Sequence, residues 1–191
     1  MFFAAVFAAY WLLERRAQNV LLLLTSCVFY GWIHPHFLLM LGCSALLDFT
    51  MANAMAYSPR YKKIFLAISL SGNLGMLAFF KYFDWFMVEI SVVLGSVGLE
   101  PHLSTLGLLL PVGISFYTFQ TMGYSIDVYR GELKPRRDLL DYLVFVSFFP
   151  QLVAGPIERA GRLLPQIESD RPFVGERVRS GLTLALWGFF K

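Results

Sequence analysis

Long apolar runs separated by short clusters of charge organise this chain. Residues 17–47, after Arg15-Arg16, carry almost no charge, and such a stretch is too long for one membrane-crossing helix of about 20 residues. Gly31-Trp32-Ile33-His34-Pro35-His36 interrupts it, so the pattern predicts two helices joined by a tight turn. Residues 64–80 carry no charge either. At about 1.5 Å per residue they reach about 25 Å, close to the thickness of the hydrocarbon core. Lys81-Tyr82-Phe83-Asp84-Trp85 then sets a lysine and an aspartate three apart among aromatics, the composition of a membrane interface. The apolar character resumes over residues 85–98, with Glu89 as the exception. Met1 to Leu13 lacks a basic n-region and a small-residue cleavage site, so this first run reads as a short span, or part of one, that stays in the mature chain.

Two later runs differ in kind. Over residues 106–126, Pro111, Gly113, Ser115, Thr118, Gln120, Thr121 and Gly123 break up an otherwise apolar stretch that ends in Asp127-Val128-Tyr129-Arg130-Gly131. Residues 142–157 hold Pro150, Gln151, Gly155 and Pro156, and Asp138 or Asp141 is placed to cap their start. Non-helical backbone at membrane depth survives only where protein or a water-filled cavity satisfies it. Both runs are therefore expected inside the bundle or partly re-entrant, lining an enclosed, partly wet cavity. Residues 161–179 are polar and read as a loop or interfacial helix. A last apolar run begins at Gly181, and its ten residues cover about 15 Å, half of the hydrocarbon core. The expected fold is all-α: one polytopic transmembrane helical bundle with broken or re-entrant helices, cut inside an element at Lys191.

Composition agrees with the pattern. Hydrophobic residues make up 57% and charged residues 15%, against roughly 45–50% and 25% in soluble domains. The formal charge of +3 comes without a basic face interleaved with aromatics, so positive loops explain it and nucleic acid does not. Arg15-Arg16 and Arg60, Lys62 and Lys63 flank the first helical hairpin on both sides. A hairpin returns to its starting side, so both clusters are expected to face the cytoplasm and the Trp32 turn to face outward. Cys27 and Cys43 both lie in apolar runs and read as packing residues, with neither a disulfide framework nor a zinc site following from them.

Candidate chemistry sits in the broken runs. Gln120 and Gln151 are placed to hydrogen-bond across helices or to touch substrate. Asp127 and Arg130, three apart at the edge of a membrane segment, make either a local salt bridge or part of a polar path. Arg159 and Arg162, just past Gly155-Pro156, suit a phosphate or carboxylate by bidentate pairing, or are ordinary loop flanks. His34-Pro35-His36 resembles a metal pair, but the proline forces a turn and no Cys, Asp or Glu within ten residues completes it. His102 follows Pro101 in a short polar turn. No metal site is read from this sequence.

The run Leu110-Pro111-Val112-Gly113-Ile114-Ser115-Phe116-Tyr117-Thr118-Phe119-Gln120, followed by Tyr124-Ser125-Ile126-Asp127-Val128-Tyr129-Arg130-Gly131, resembles the membrane-bound O-acyltransferase family. The likeness continues through Asp141-Tyr142, Phe145-Val146-Ser147-Phe148-Phe149-Pro150-Gln151-Leu152-Val153-Ala154-Gly155-Pro156-Ile157, Arg159 and Leu164-Pro165-Gln166. Val28-Phe29-Tyr30-Gly31-Trp32 and Phe79-Phe80-Lys81-Tyr82 echo it earlier. Within the family the chain most resembles the alginate O-acetyltransferase branch, with the teichoic-acid D-alanyl transferases more distant. The resemblance implies a multi-pass enzyme of the bacterial inner membrane that moves an acyl group, here an acetyl, onto hydroxyls of an extracytoplasmic polysaccharide such as alginate. It implies an acyl donor such as acetyl-CoA or an acyl carrier, no bound cofactor, and periplasmic or membrane partner proteins beside lipid and acceptor. The family's catalytic histidine lies in the later half of the chain, beyond residue 191, where it would act as general base. Residues 1–191 are accordingly expected to be the N-terminal part of a single acyltransferase domain, inactive alone. The competing reading is a transporter or polysaccharide-export subunit, because broken helices with polar midplane residues also make transport sites.

Overall fold

The computed structural model describes residues 2–32, 35–96, 113–152 and 155–191. Among these the chain is all-α, as expected, with no strand. Helix α1 (Phe2–Tyr10) turns back along α2 (Arg15–Gly31). Gln18 Nε2 donates to the Tyr10 carbonyl at 3.2 Å, and the Phe2 and Phe29 rings stack at 6.0 Å. At about 13 Å, α1 is too short to cross alone, so the first run is half of a hairpin.

The turn predicted between two apolar helices is present. Helix α2 ends at Gly31, and α3 (His36–Tyr57) follows. Its buried positions Phe37, Leu41, Ser44, Ala45, Asp48, Ala52 and Met55 recur every three or four residues, so one stripe of α3 faces protein. A 3-10 turn at Pro59–Tyr61 leads into α4 (Lys62–Ser96). This helix is about 52 Å long and does not stop at the expected interface. Lys81 lies about 28 Å along it from Lys62, roughly one hydrocarbon thickness. Among the described residues, His36–Tyr57 and Pro59–Ser96 are long and apolar enough to cross a membrane.

The first of the two interrupted runs lies inside the bundle, one of its two expected placements, and its residues 106–112 lie outside the described residues. From Ile114 to Arg130 it is one unbroken helix, α5. Its small and polar residues do not break it; Thr118, Gln120, Thr121 and Ser125 form its buried face. The interruption falls before it, at Gly113, whose φ of 79° is left-handed. A Cβ there would lie 2.7 Å from the Leu152 carbonyl oxygen, so glycine is required twice over. Gly131 ends α5, also left-handed at φ 80°. The Glu132 N–H reaches the Asp127 carbonyl at 3.0 Å and the Gly131 N–H the Val128 carbonyl at 3.1 Å, a Schellman closure.

The second interrupted run is broken where the sequence places the break. Helix α6 (Leu139–Ser147) is capped by Asp138, whose Oδ1 accepts from the Leu140 N–H at 2.8 Å. Asp141 does not cap; it is buried and takes another role. Pro150 has no N–H to return to the Val146 carbonyl, and the chain kinks at Phe148 before the single turn of α7 (Phe149–Leu152). Gly155 follows so closely that a Cβ would lie 2.6 Å from Gln151 Cα. The segment then returns to where it began. Helix α8 (Ala160–Glu168) lies against α6, and Arg136 before the segment pairs with Glu168 after it at 2.6 Å. The nine residues of α6 rise only about 13 Å. The described parts of this segment thus fold back so that its two ends meet.

The polar stretch 161–179, expected as a loop or an interfacial helix, holds a helix with one buried face. Ala160, Leu164 and Ile167 of α8 are buried, and Arg162 and Gln166 are exposed. The final helix, α9 (Gly175–Phe190), begins six residues before the expected Gly181 and has no buried residue.

Helices α3, α4 and α5 are joined by a buried polar knot. Asp48, with no exposed surface, accepts from the Ser69 hydroxyl, from Asn73 Nδ2 at 2.8 Å and from the Ser125 hydroxyl at 3.1 Å. Ser44 donates to Asn73 Oδ1 at 2.6 Å and lies 3.5 Å from Thr121 Oγ1. Lipid tails are as apolar as leucine, so packing and hydrogen bonds worth about 0.6 kcal/mol each on average must select how membrane helices meet. A knot of this size fixes one arrangement.

Candidate functional site

The basic clusters of the sequence converge on one end of the bundle. Lys62, at the start of α4, sits with its Nζ 5.2 Å from the centroid of the Tyr129 ring near the end of α5. Asn53, near the end of α3, donates to the Arg136 carbonyl at 3.0 Å, and Arg136 pairs with Glu168. Arg15, at the start of α2, donates to the Glu168 carbonyl at 3.1 Å and lies 3.6 Å from the Asp141 carboxylate. Asn19, with no exposed surface, donates to Asp141 at 2.7 Å and to the Ile167 carbonyl at 3.2 Å, and accepts from Arg171. These bonds tie α2, α6 and α8 together at the end where the charges gather. Burial raises the Glu168 carboxyl against the opposing pull of Arg136, and burial lowers the Arg171 guanidinium.

A cleft of about 200 Å³ opens at this end, between the second half of α5, from Phe119 to Arg130, and the limb that leads into α8. Gln120, Tyr124, Asp127 and Arg130 line it from α5, and Glu158 and Arg159 from the return limb. Four of the six residues singled out from the sequence, Gln120, Asp127, Arg130 and Arg159, thus share one cavity, and Arg162 lies outside it. Gln151 does not line it; it is 6% exposed on α7, and its Nε2 has no partner among the described residues.

Each member is held by its element. Gln120 is 3% exposed and donates from Nε2 to the Phe145 carbonyl at 3.0 Å, while its Oε1 has no partner among the described residues. Cross-helix bonding, one of its two sequence readings, is thereby observed. Tyr124 is fixed by the Arg136 N–H, which donates to its hydroxyl at 2.9 Å, and by the Tyr142 ring at 4.8 Å. Asp127 is half-buried, while Arg130 and Arg159 are exposed at the rim. Among the described residues Arg130 pairs with Glu132 at 3.9 Å and not with Asp127, because the Schellman turn brings Glu132 alongside. The local Asp127–Arg130 bridge is the reading that fails. Asp127 is left facing the cleft with two guanidiniums nearby, and such a rim offers forked donors to a phosphate or carboxylate.

Sequence reading missed the Asp48 knot and the Asn19–Asp141 pair. The signal for the first was present: Ser44 and Asp48, Ser69 and Asn73, and Thr121 and Ser125 are each four apart inside apolar runs, one helical turn on one face. His34, His102 and Pro111 lie outside the described residues. His36 stands at the start of α3, at the other end of the bundle from the cleft.

Comparison with known proteins gives a consistent set of relatives. "Probable alginate O-acetylase AlgI" of Pseudomonas putida (strain KT2440) is 33% identical over 194 residues, covering all of this chain and 40% of that protein. The protein of the same name from Pseudomonas syringae pv. tomato is 36% identical over 194 residues, again covering all of this chain and 37% of its own length. A "Peptidoglycan O-acetyltransferase" of Helicobacter pylori is 30% identical over 218 residues, covering 97% of this chain and 40% of its own. The chain spans about two fifths of the length of these curated relatives. No protein-family model matches it, and no solved structure does.

Proposed function

We propose that this chain, an alginate O-acetylase-type sequence of the membrane-bound O-acyltransferase kind, forms one wall of a multi-pass O-acetyltransferase of the bacterial inner membrane that acts on an extracytoplasmic polysaccharide. The observation that carries the proposal is the gathering of Gln120, Asp127, Arg130 and Arg159 around one cleft at the basic end of the bundle. Positive loops mark the cytoplasmic side, so the cleft opens where an acetyl thioester is available. Arg130 and Arg159 then meet the anionic part of the donor, and the buried face of α5 continues toward the acceptor side.

In the transfer an acceptor hydroxyl oxygen attacks the acetyl carbonyl. A C–O bond forms, the C–S bond breaks to release the donor thiolate, and the hydroxyl proton passes by way of a general base to that thiolate. Asp127 is a weak base for a sugar hydroxyl, and the family resemblance implies that the base is a histidine beyond residue 191. The residues described here bind the donor and guide its acyl group.

The test is acetyl transfer by the complete protein in liposomes, with labelled acetyl thioester on the side of the basic loops and polysaccharide on the other. Arg159→Ala is expected to raise KM for the donor about tenfold, the loss of one charge-assisted contact, with kcat little changed. An unchanged KM removes Arg159 from the donor site. Passage of polysaccharide without acetylation would favour the export reading instead.

A further inference from the structure

We propose that Asp48 is a positioning residue whose knot with Ser69, Asn73 and Ser125 sets the rotation of α5 and so aims Gln120, Tyr124 and Asp127 into the cleft. This rests on the acetyltransferase reading only for its effect on transfer; the effect on geometry stands without it. Helix α5 presents two faces. Thr121 and Ser125 meet the knot, while Gln120, Tyr124 and Asp127 line the cleft. Successive residues of a helix differ by about 100°, so a modest roll of α5 carries one set out of the cleft as it pulls the other from the knot.

The knot is built to resist that roll. Asp48 is fully buried, and its partners are two hydroxyls and an amide N–H, all with a proton to give. Among the described residues no cationic side chain pairs with it. A buried carboxylate without an ion partner holds its place only while its donors stay in reach. Asn73 reads both sides at once, giving Nδ2 to Asp48 and taking the Ser44 hydroxyl on Oδ1. The knot therefore needs one carboxylate and one amide in contact. Asp48→Asn keeps the shape but turns an acceptor toward donors into a second donor.

The experiment uses the complete protein with every cysteine replaced by alanine, Cys27 and Cys43 among them, and reports α5 rotation by the rate at which a water-soluble maleimide labels Gly123→Cys. Gly123 lines the cleft, and a Cβ there meets nothing within 4 Å. Asp48→Asn is expected to change the labelling rate at least about threefold and, without the Gly123 change, to lower kcat for acetyl transfer about tenfold, the scale of a small misplacement of reacting groups. The double variant Asp48→Asn with Asn73→Asp restores carboxylate and amide in exchanged positions. Recovery of labelling and transfer to within about threefold of the starting protein supports the knot, including where Asp48→Asn alone fails to fold. Unchanged labelling in folded Asp48→Asn, or no recovery in the double variant, overturns it. Absence of acetyl transfer by the starting protein would sink the functional reading while the labelling still decides the positioning role.

Discussion

Gln120 has two functions that a single substitution can separate. Its Nε2 holds α5 to the Phe145 carbonyl and its Oε1 is left over. Gln120→Leu is expected to lower stability by about 1 kcal/mol, the worth of one cross-helix bond, yet to lower transfer by more than the loss of folded protein accounts for. Gln151→Leu removes a buried donor without a partner, so the amount of folded protein should hold or rise while transfer falls. Wild-type transfer by both variants would take the two amides out of the substrate path. Gly113→Ala is a sharper structural test: a left-handed φ costs about 1–2 kcal/mol in any other residue, and the added Cβ meets the Leu152 carbonyl. The expected result is a lower melting temperature in detergent than the parent protein, and an unchanged one would deny the contact. At this scale the sequence told which charged residues gather at one end of the bundle, because charge between apolar runs is conspicuous. Asp48 was overlooked because it closes an apolar run, and its partners Ser69, Asn73 and Ser125 look like ordinary small residues until three helices bring them together.

Elements were legible wherever a local signal sets their ends. Gly31 and Pro35 mark the turn between α2 and α3, Asp138 caps α6, and Arg130-Gly131 closes α5. Length and continuity were not legible to the same degree. Helix α4 passes straight through Lys81 and Asp84, since residues at an interface can snorkel without ending a helix. Helix α5 keeps its regularity despite Ser115, Thr118 and Gly123, since neighbouring helices satisfy what lipid cannot. Tyr61→Cys, at a position 50% exposed beside Arg60 and Lys62, should resist an impermeant thiol reagent added outside intact cells, while Trp32→Cys, at a position 84% exposed, should react. Labelling of position 61 from outside would invert the orientation.

For the whole molecule, the relatives run to more than twice this length, and among the described residues the cleft is lined by acidic, amide and basic side chains and no histidine. The chain expressed alone should therefore show no acetyl transfer in the liposome assay in which the complete protein is active. Turnover comparable to the complete protein would move the general base into these residues and make Asp127 the first candidate. The loop closed by Arg136 and Glu168 has a consequence of another kind. A pass that dips about 13 Å and comes back adds apolar residues without adding a crossing, so it leaves the parity of the crossings unchanged. With the chain placed in the membrane as proposed, counting residues 142–157 as a full traverse would assign α8 and the start of α9 to the wrong compartment, and every reporter fusion interpreted downstream of them would be read upside down.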